Sequence, residues 1–199
     1  MRADAGRSPF DRVWRNGSPR AWARVQRFDR IVILPVNTAY LNGTAKQRAE
    51  AEKMAAYMRE RFQREFARGG QYRVVRQPGA RTLVLELALV EWKPTNIAGN
   101  VVSTGAGVVV PGANLIGSAF THGNIAFEAK IRNGETGELL SQYADRQRDK
   151  LTLFSFRDYS STAHNRKAID DWARQMEELA TTPSDHRVAG AMRVTLNPF

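Results

Sequence analysis

The stretch from Thr44 to Gly70 constrains this chain more than any other. Thr44 is followed three residues later by Gln47, the spacing of a capping box, in which each side chain satisfies the other residue's backbone N–H. Ala51, Met54, Ala55, Met58, Phe62 and Phe66 then recur at helical spacing and form one apolar stripe. Gly69-Gly70 provides the stop. Just upstream, Ile31-Val32-Ile33-Leu34 within Arg30–Val36 is apolar on both faces, which predicts a buried strand ending at Pro35. A buried strand that turns at Asn42-Gly43 into a capped amphipathic helix commits the chain to packed layers of sheet and helix.

The rest of the chain extends that plan. Tyr72–Arg76 reads as a short strand and Pro78-Gly79 as a turn. In Thr82–Trp92, Leu83, Leu85, Leu87 and Leu89 share one face, and Val84, Glu86, Ala88 and Val90 the other. In Gly123–Arg132, Ile125, Phe127, Ala129 and Ile131 point inward, against Asn124, Glu128, Lys130 and Arg132 outward. Asn133-Gly134-Glu135-Thr136-Gly137 is a hairpin turn, and Leu139–Lys150 is the returning strand. Ile169, Trp172, Ala173, Met176 and Leu179 mark a second helix between about residues 162 and 180. The expected fold class is α/β (α+β). It has a mixed sheet of about five strands, one long helix after the first strand, and a C-terminal helix on the same face. The expected organisation is a basic N-terminal arm (1–28), a single α/β domain (29–180) and a C-terminal tail (181–199) in which Met192–Leu196 forms a short strand.

Charge bears on partners and not on fold. The net charge is +10, and residues 1–30 hold eight Arg against three Asp. Such a balance favours acidic partners. The absence of cysteine excludes disulfides and thiolate-ligated metal sites, and it fits an oxidising compartment. No run of eighteen apolar residues is present, and Met1-Arg2-Ala3-Asp4 does not open a secretory leader.

One segment departs from ordinary loop composition. Residues 94–127 contain no Asp, Glu, Lys or Arg, and they carry six glycines and Pro111. Val108, Val109, Val110, Leu115, Ile116 and Phe120 make the segment apolar. Three readings stand: a connection buried under the sheet, a contact between copies, or a hairpin touching a membrane.

Signals of catalysis are weak. His122, His164 and His186 fall on separate segments without metal-ligand spacing. Glu86, Glu128 and Asp145 lie among Lys130, Arg132, Arg146 and Arg148, which favours cross-strand ion pairs on a solvated face. Gly105-Ala106-Gly107 lacks the third glycine of a dinucleotide loop, since Val110 stands there. The expectation is therefore no enzyme, no cofactor and no metal.

Several short motifs together resemble a known family. Phe28-Asp29-Arg30-Ile31-Val32-Ile33-Leu34-Pro35-Val36 opens the domain, followed by Pro111-Gly112-Ala113, Phe127-Glu128-Ala129-Lys130-Ile131, Thr136-Gly137-Glu138-Leu139-Leu140 and Trp172-Ala173 in the last helix. Over roughly residues 10–180 this resembles the bacterial envelope lipoproteins called domain of unknown function 3313. The strand–helix–strand start is also similar to the N-terminal domain of TolB. The resemblance implies an outer-membrane lipoprotein facing the periplasm, attached by an N-terminal lipid on a cysteine upstream of Met1. The expected function is a non-catalytic binding or assembly protein of the envelope. Its partner would be an envelope protein or another copy, engaged through Val108, Val109, Val110, Leu115, Ile116 and Phe120 and through Arg12, Arg15, Arg20 and Arg24. The alternative is a basic nucleic-acid-binding protein with Trp14, Trp22 and the Arg146/Arg148/Lys150 strand as contacts. The lack of any recognisable nucleic-acid motif disfavours it.

Overall fold

A computed structural model describes residues 8–21, 27–93, 124–148, 163–182 and 187–188. The elements are β1 (Arg12–Arg15), β2 (Arg30–Ile33), α1 (Ala45–Gly69), β3 (Arg73–Val75), β4 (Thr82–Lys93), β5 (Asn124–Asn133), β6 (Leu139–Arg148) and α2 (Ala163–Thr181). They form a mixed α+β fold around one six-stranded sheet in the order β1-β6-β5-β4-β2-β3. Among the described residues the sheet therefore has six strands, against the about five expected. The added strand, β1, comes from the segment read as an arm and pairs antiparallel with β6. Four residues bounded by Asp11 and the Asn16-Gly17 turn are too short for periodicity to show.

β2 runs parallel to both β3 and β4, and the remaining pairs are antiparallel. β2 ends before Pro35, which has no N–H to donate. Pairing resumes at Asn37, whose N–H reaches the Leu87 carbonyl at 2.8 Å. The capping box forms as expected: the Gln47 N–H donates to Thr44 Oγ1 at 3.3 Å, and the Thr44 N–H donates to Gln47 Oε1 at 2.8 Å. Gly70 ends α1 in the left-handed region at φ 75°.

Both helices cover the same sheet face. Met54, Met58, Phe62 and Phe66 of α1 and Ile169, Trp172, Ala173, Met176 and Leu179 of α2 are buried against Leu83, Leu85, Leu87, Leu89, Ile125, Phe127 and Ala129. Phe127 lies at the centre, with ring centroids 6.4 Å from Phe62, 5.5 Å from Phe10 and 4.4 Å from Trp172. The expected apolar stripes of both helices are thus the stripes that pack.

Two bulges reset the alternation of inward and outward residues. In β4 the register shifts between Leu89 and Glu91, so Glu91 opposes Ala126 and faces away from the helices. There it meets Arg146, which flanks Ala126 on the other side. In β6 the shift lies at Leu140: Arg132 opposes Leu139, whereas Ile131 opposes Ser141. One extra residue moves every later side chain of β6 to the opposite face. Tyr143 and Asp145 thereby turn inward.

Candidate functional site

The second bulge has its largest consequence at Asp145. This residue opposes Phe127 on the core face and is only 7% exposed. The expectation that Asp145 joins cross-strand ion pairs on a solvated face is corrected here. Glu128 opposes Ala144, so the two carboxylates point to opposite faces of the sheet. Trp172 Nε1 donates to Asp145 Oδ2 at 2.6 Å, and Gln147 Nε2 donates to the same oxygen at 3.1 Å. Burial raises the Asp145 carboxyl above the usual aspartate range, against the two side-chain donors and with a smaller push from Asp11. Beside it, Phe10 packs edge-on to both Phe127 and Tyr143. One carboxylate thus joins β6 to α2 where the β1 segment closes over the core.

A second polar cluster lies along the seam of the helices. Arg61 Nε is 2.7 Å from Asp170 Oδ1, which also accepts the Tyr57 hydroxyl at 2.7 Å. Arg68 Nη2 is 2.8 Å from Glu65 Oε2, and Arg166 stacks over the Tyr57 ring at 5.3 Å. Burial raises Tyr57, and the bond to Asp170 adds to it. Burial also raises Glu177, despite the Arg68 charge. The Arg61 and Tyr57 contacts to Asp170 cross from α1 to α2, which fits helix-to-helix docking.

Two shallow hollows lie among the described residues. One, of about 780 Å³, lies at the end of the sheet among Arg27, Phe28, Asp29, Arg81, Asn133 and Glu135. The other, of about 440 Å³, runs between α1 and the chain after β2, with Val36, Arg59 and Glu60 in its wall. Neither is lined by Asp145. Among the described residues, no group of three His, Asp or Glu side chains is placed to hold a metal ion.

The residues singled out from sequence divide as follows. Arg12 lies exposed on β1 and shares the outward sheet face with Trp14, which is 38% exposed. Arg15 ends the same strand half-buried, and Arg20 is exposed beyond it. Arg24, Trp22, Val108, Val109, Val110, Leu115, Ile116 and Phe120 lie outside the described residues, as do His122, His186, Lys150 and the Met192–Leu196 stretch. Glu86 does pair across strands with Arg132, at 3.0 Å. Sequence reading did not single out the first hollow, where Arg27 and Arg81 come together with Asp29 and Glu135 from separate turns and strand starts.

The described residues contain no helix long and apolar enough to cross a membrane. The family described as "Protein of unknown function (DUF3313)" matches residues 4–176. No curated protein matches the chain. Among solved structures, the chain is similar to a PelC dodecamer from Paraburkholderia phytofirmans at 11% identity, covering 86% of this chain and 99% of that one with a TM-score of 0.48. It is also similar to a hypothetical protein from Chlamydia trachomatis at 8% identity, covering 77% and 98% with a TM-score of 0.42. A minor lipoprotein from Acinetobacter baumannii is similar at 10% identity, covering 77% and 93% with a TM-score of 0.37.

Proposed function

The chain belongs to the DUF3313 family of proteins of unknown function, and from that premise we propose that it is a binding or assembly module of the bacterial cell envelope with no chemistry of its own. The observation that carries this reading is the use made of Asp145, the most buried carboxylate among the described residues. Asp145 is bound by Trp172 and Gln147 inside the core, away from both hollows, so its raised protonation range serves closure of the fold. A structural ion or hydrogen-bond network perturbs a pKa as readily as a catalytic one does, and the surroundings decide between them. The seam of α1 and α2 is committed in the same way.

In this reading the protein faces the periplasm, held at the outer membrane by an N-terminal lipid. The sequence resemblance supports that placement. The partner is an envelope protein or a second copy. It is engaged through the apolar Val108–Phe120 segment and the arginines at 12, 15, 20 and 24, of which Arg12 lies beside exposed Trp14 on the sheet's edge strand. Fractionation of the native gene product tests the placement. Recovery with outer membranes, released by lipoprotein-extracting detergent, is the expected result, and a protein found only in the cytosol would sink the reading.

A further inference from the structure

Three Asn–Gly pairs occur in the chain, at residues 16–17, 42–43 and 133–134. Asparagine is a chemically labile residue, and before glycine no Cβ shields its amide carbon from the next backbone nitrogen. The fold treats the three pairs differently. Asn133 is 2% exposed, and its Oδ1 accepts the Glu135 N–H at 2.9 Å and the Thr136 N–H at 3.4 Å. The Gly134 N–H is itself committed to the Thr82 carbonyl at 2.8 Å. Asn16 Nδ2 donates to Glu138 Oε1 at 3.2 Å and to the Leu139 carbonyl at 3.1 Å, while its Oδ1 accepts the Ser18 N–H at 2.9 Å. Both of these side chains are fastened in place.

Asn42 has no such commitment. It is exposed, and among the described residues neither its side chain nor the Gly43 N–H has a hydrogen-bond partner. The backbone on either side is nevertheless held. Upstream, the Leu41 N–H donates to the Thr38 carbonyl at 2.9 Å, and Leu41 packs against the core. Downstream, Thr44 and Gln47 close the capping box. That box needs glycine at 43, since a Cβ there would lie 2.8 Å from Gln47 Oε1. The residue that lets α1 start is thus the one that leaves the Asn42 amide open to its neighbour.

We propose that Asn42 is a site of self-modification, converted through a cyclic imide to aspartate and isoaspartate. The Gly43 N–H gives its proton to hydroxide, and the nitrogen attacks Asn42 Cγ. The new C–N bond closes the ring, and the side-chain nitrogen takes a proton from water and leaves as ammonia. Water then opens the ring at either carbonyl, restoring the backbone as aspartate or rerouting it through the side chain as isoaspartate. In sum one water enters and one ammonia leaves, with no change of oxidation state. Either product sets a carboxylate just before α1, whose first turn has no acidic residue and carries exposed Lys46 and Arg48. A negative charge there meets the positive end of the helix dipole. The site is independent of the envelope reading, since it rests on the turn before α1 alone.

The test is incubation of the full chain at mildly alkaline pH, which favours the deprotonated nitrogen, followed by trypsin digestion and mass spectrometry. Cleavage after Arg15, Arg30 and Arg132 puts each Asn–Gly pair in its own peptide. Fragmentation separates Asn42 from Asn37, whose Oδ1 accepts the Ala39 N–H at 2.8 Å. Asn42 should lose its amide at least about tenfold faster than Asn16 or Asn133, the factor for one hydrogen bond that those residues must first break. In denaturant the three rates should converge, because the fold is what separates them. Asn42→Gln should fold like the parent and stop the growth of a more acidic species on cation exchange, with which Asn42→Asp should comigrate. An Asn42 that stays intact, or loss at Asn16 or Asn133 that is equal or faster in the folded chain, would overturn the site. A ranking that denaturant leaves unchanged would overturn the fold as its cause.

Discussion

Asp145 and Trp172 lie 27 residues apart, and the indole N–H of one rests 2.6 Å from a carboxylate oxygen of the other inside the core. Each residue alone would be a liability there: a buried carboxylate lacks water, and a buried indole N–H lacks an acceptor. Together they join the last long strand to the closing helix. Desolvation still outweighs the hydrogen bonds, because the net effect on Asp145 is upward.

That direction sets a pH dependence. The folded protein holds the Asp145 proton more tightly than the unfolded chain, so this group favours folding most at pH below the ordinary aspartate value. The contribution is lost as pH rises through the raised native value. Asp145→Asn keeps an acceptor for Trp172 and removes the charge. Its Tm should exceed the parent's at neutral pH, and the gap should close as pH falls below the ordinary aspartate range. A gap that persists unchanged into acid would show that charge at Asp145 is not the cause.

Trp172→Phe should cost about 1–3 kcal/mol, the range for stranding a buried polar partner. In the Asp145→Asn background the same change should cost less, since the stranded group is then uncharged. A double-mutant cycle in denaturant measures the coupling. Additive costs within about 0.5 kcal/mol would mean that the bond contributes nothing beyond packing.

Gly134 sits where a Cβ would approach the Thr82 carbonyl oxygen to 2.7 Å, and the Gly134 N–H donates to that same oxygen at 2.8 Å. Gly134→Ala must push the hairpin away from β4 and should destabilise by about 1–3 kcal/mol, the usual cost of overpacking. Gly137 has φ 71° with open space around it, so alanine there adds only backbone strain of about 1–2 kcal/mol. Chemical denaturation of the two variants compares a steric cost with a conformational one.

Partner engagement through the uncharged segment is checked by Val109→Asp and Ile116→Asp. Either change should unfold the protein or dissociate an assembly, because a new charge would lie in an apolar contact. Gel filtration and thermal melts separate the two outcomes. Variants that keep the parent's size and Tm would exclude the segment as a contact.

The apolar periodicity of this chain was legible in the residues themselves. The stripes of α1 and α2 and the inward faces of β4 and β5 follow from side-chain spacing alone, because helices repeat every 3.6 residues and strands every two. The Thr44–Gln47 box and the Asn133–Gly137 turn were equally local, since each is completed by residues a few positions apart. What the sequence left open depended on pairing between distant segments. β1 became a strand because β6 offered it an edge. The bulge at Leu140 put Asp145 inside, and the shift after Leu89 put Glu91 outside beside Arg146. Strict alternation places each of these residues on the opposite face. One inserted residue reverses a two-residue period, and no residue type marks the insertion. The first hollow is of the same kind: parallel pairing of β2 with β4 brings Arg81 onto Asp29, two residues that nothing in the local sequence connects.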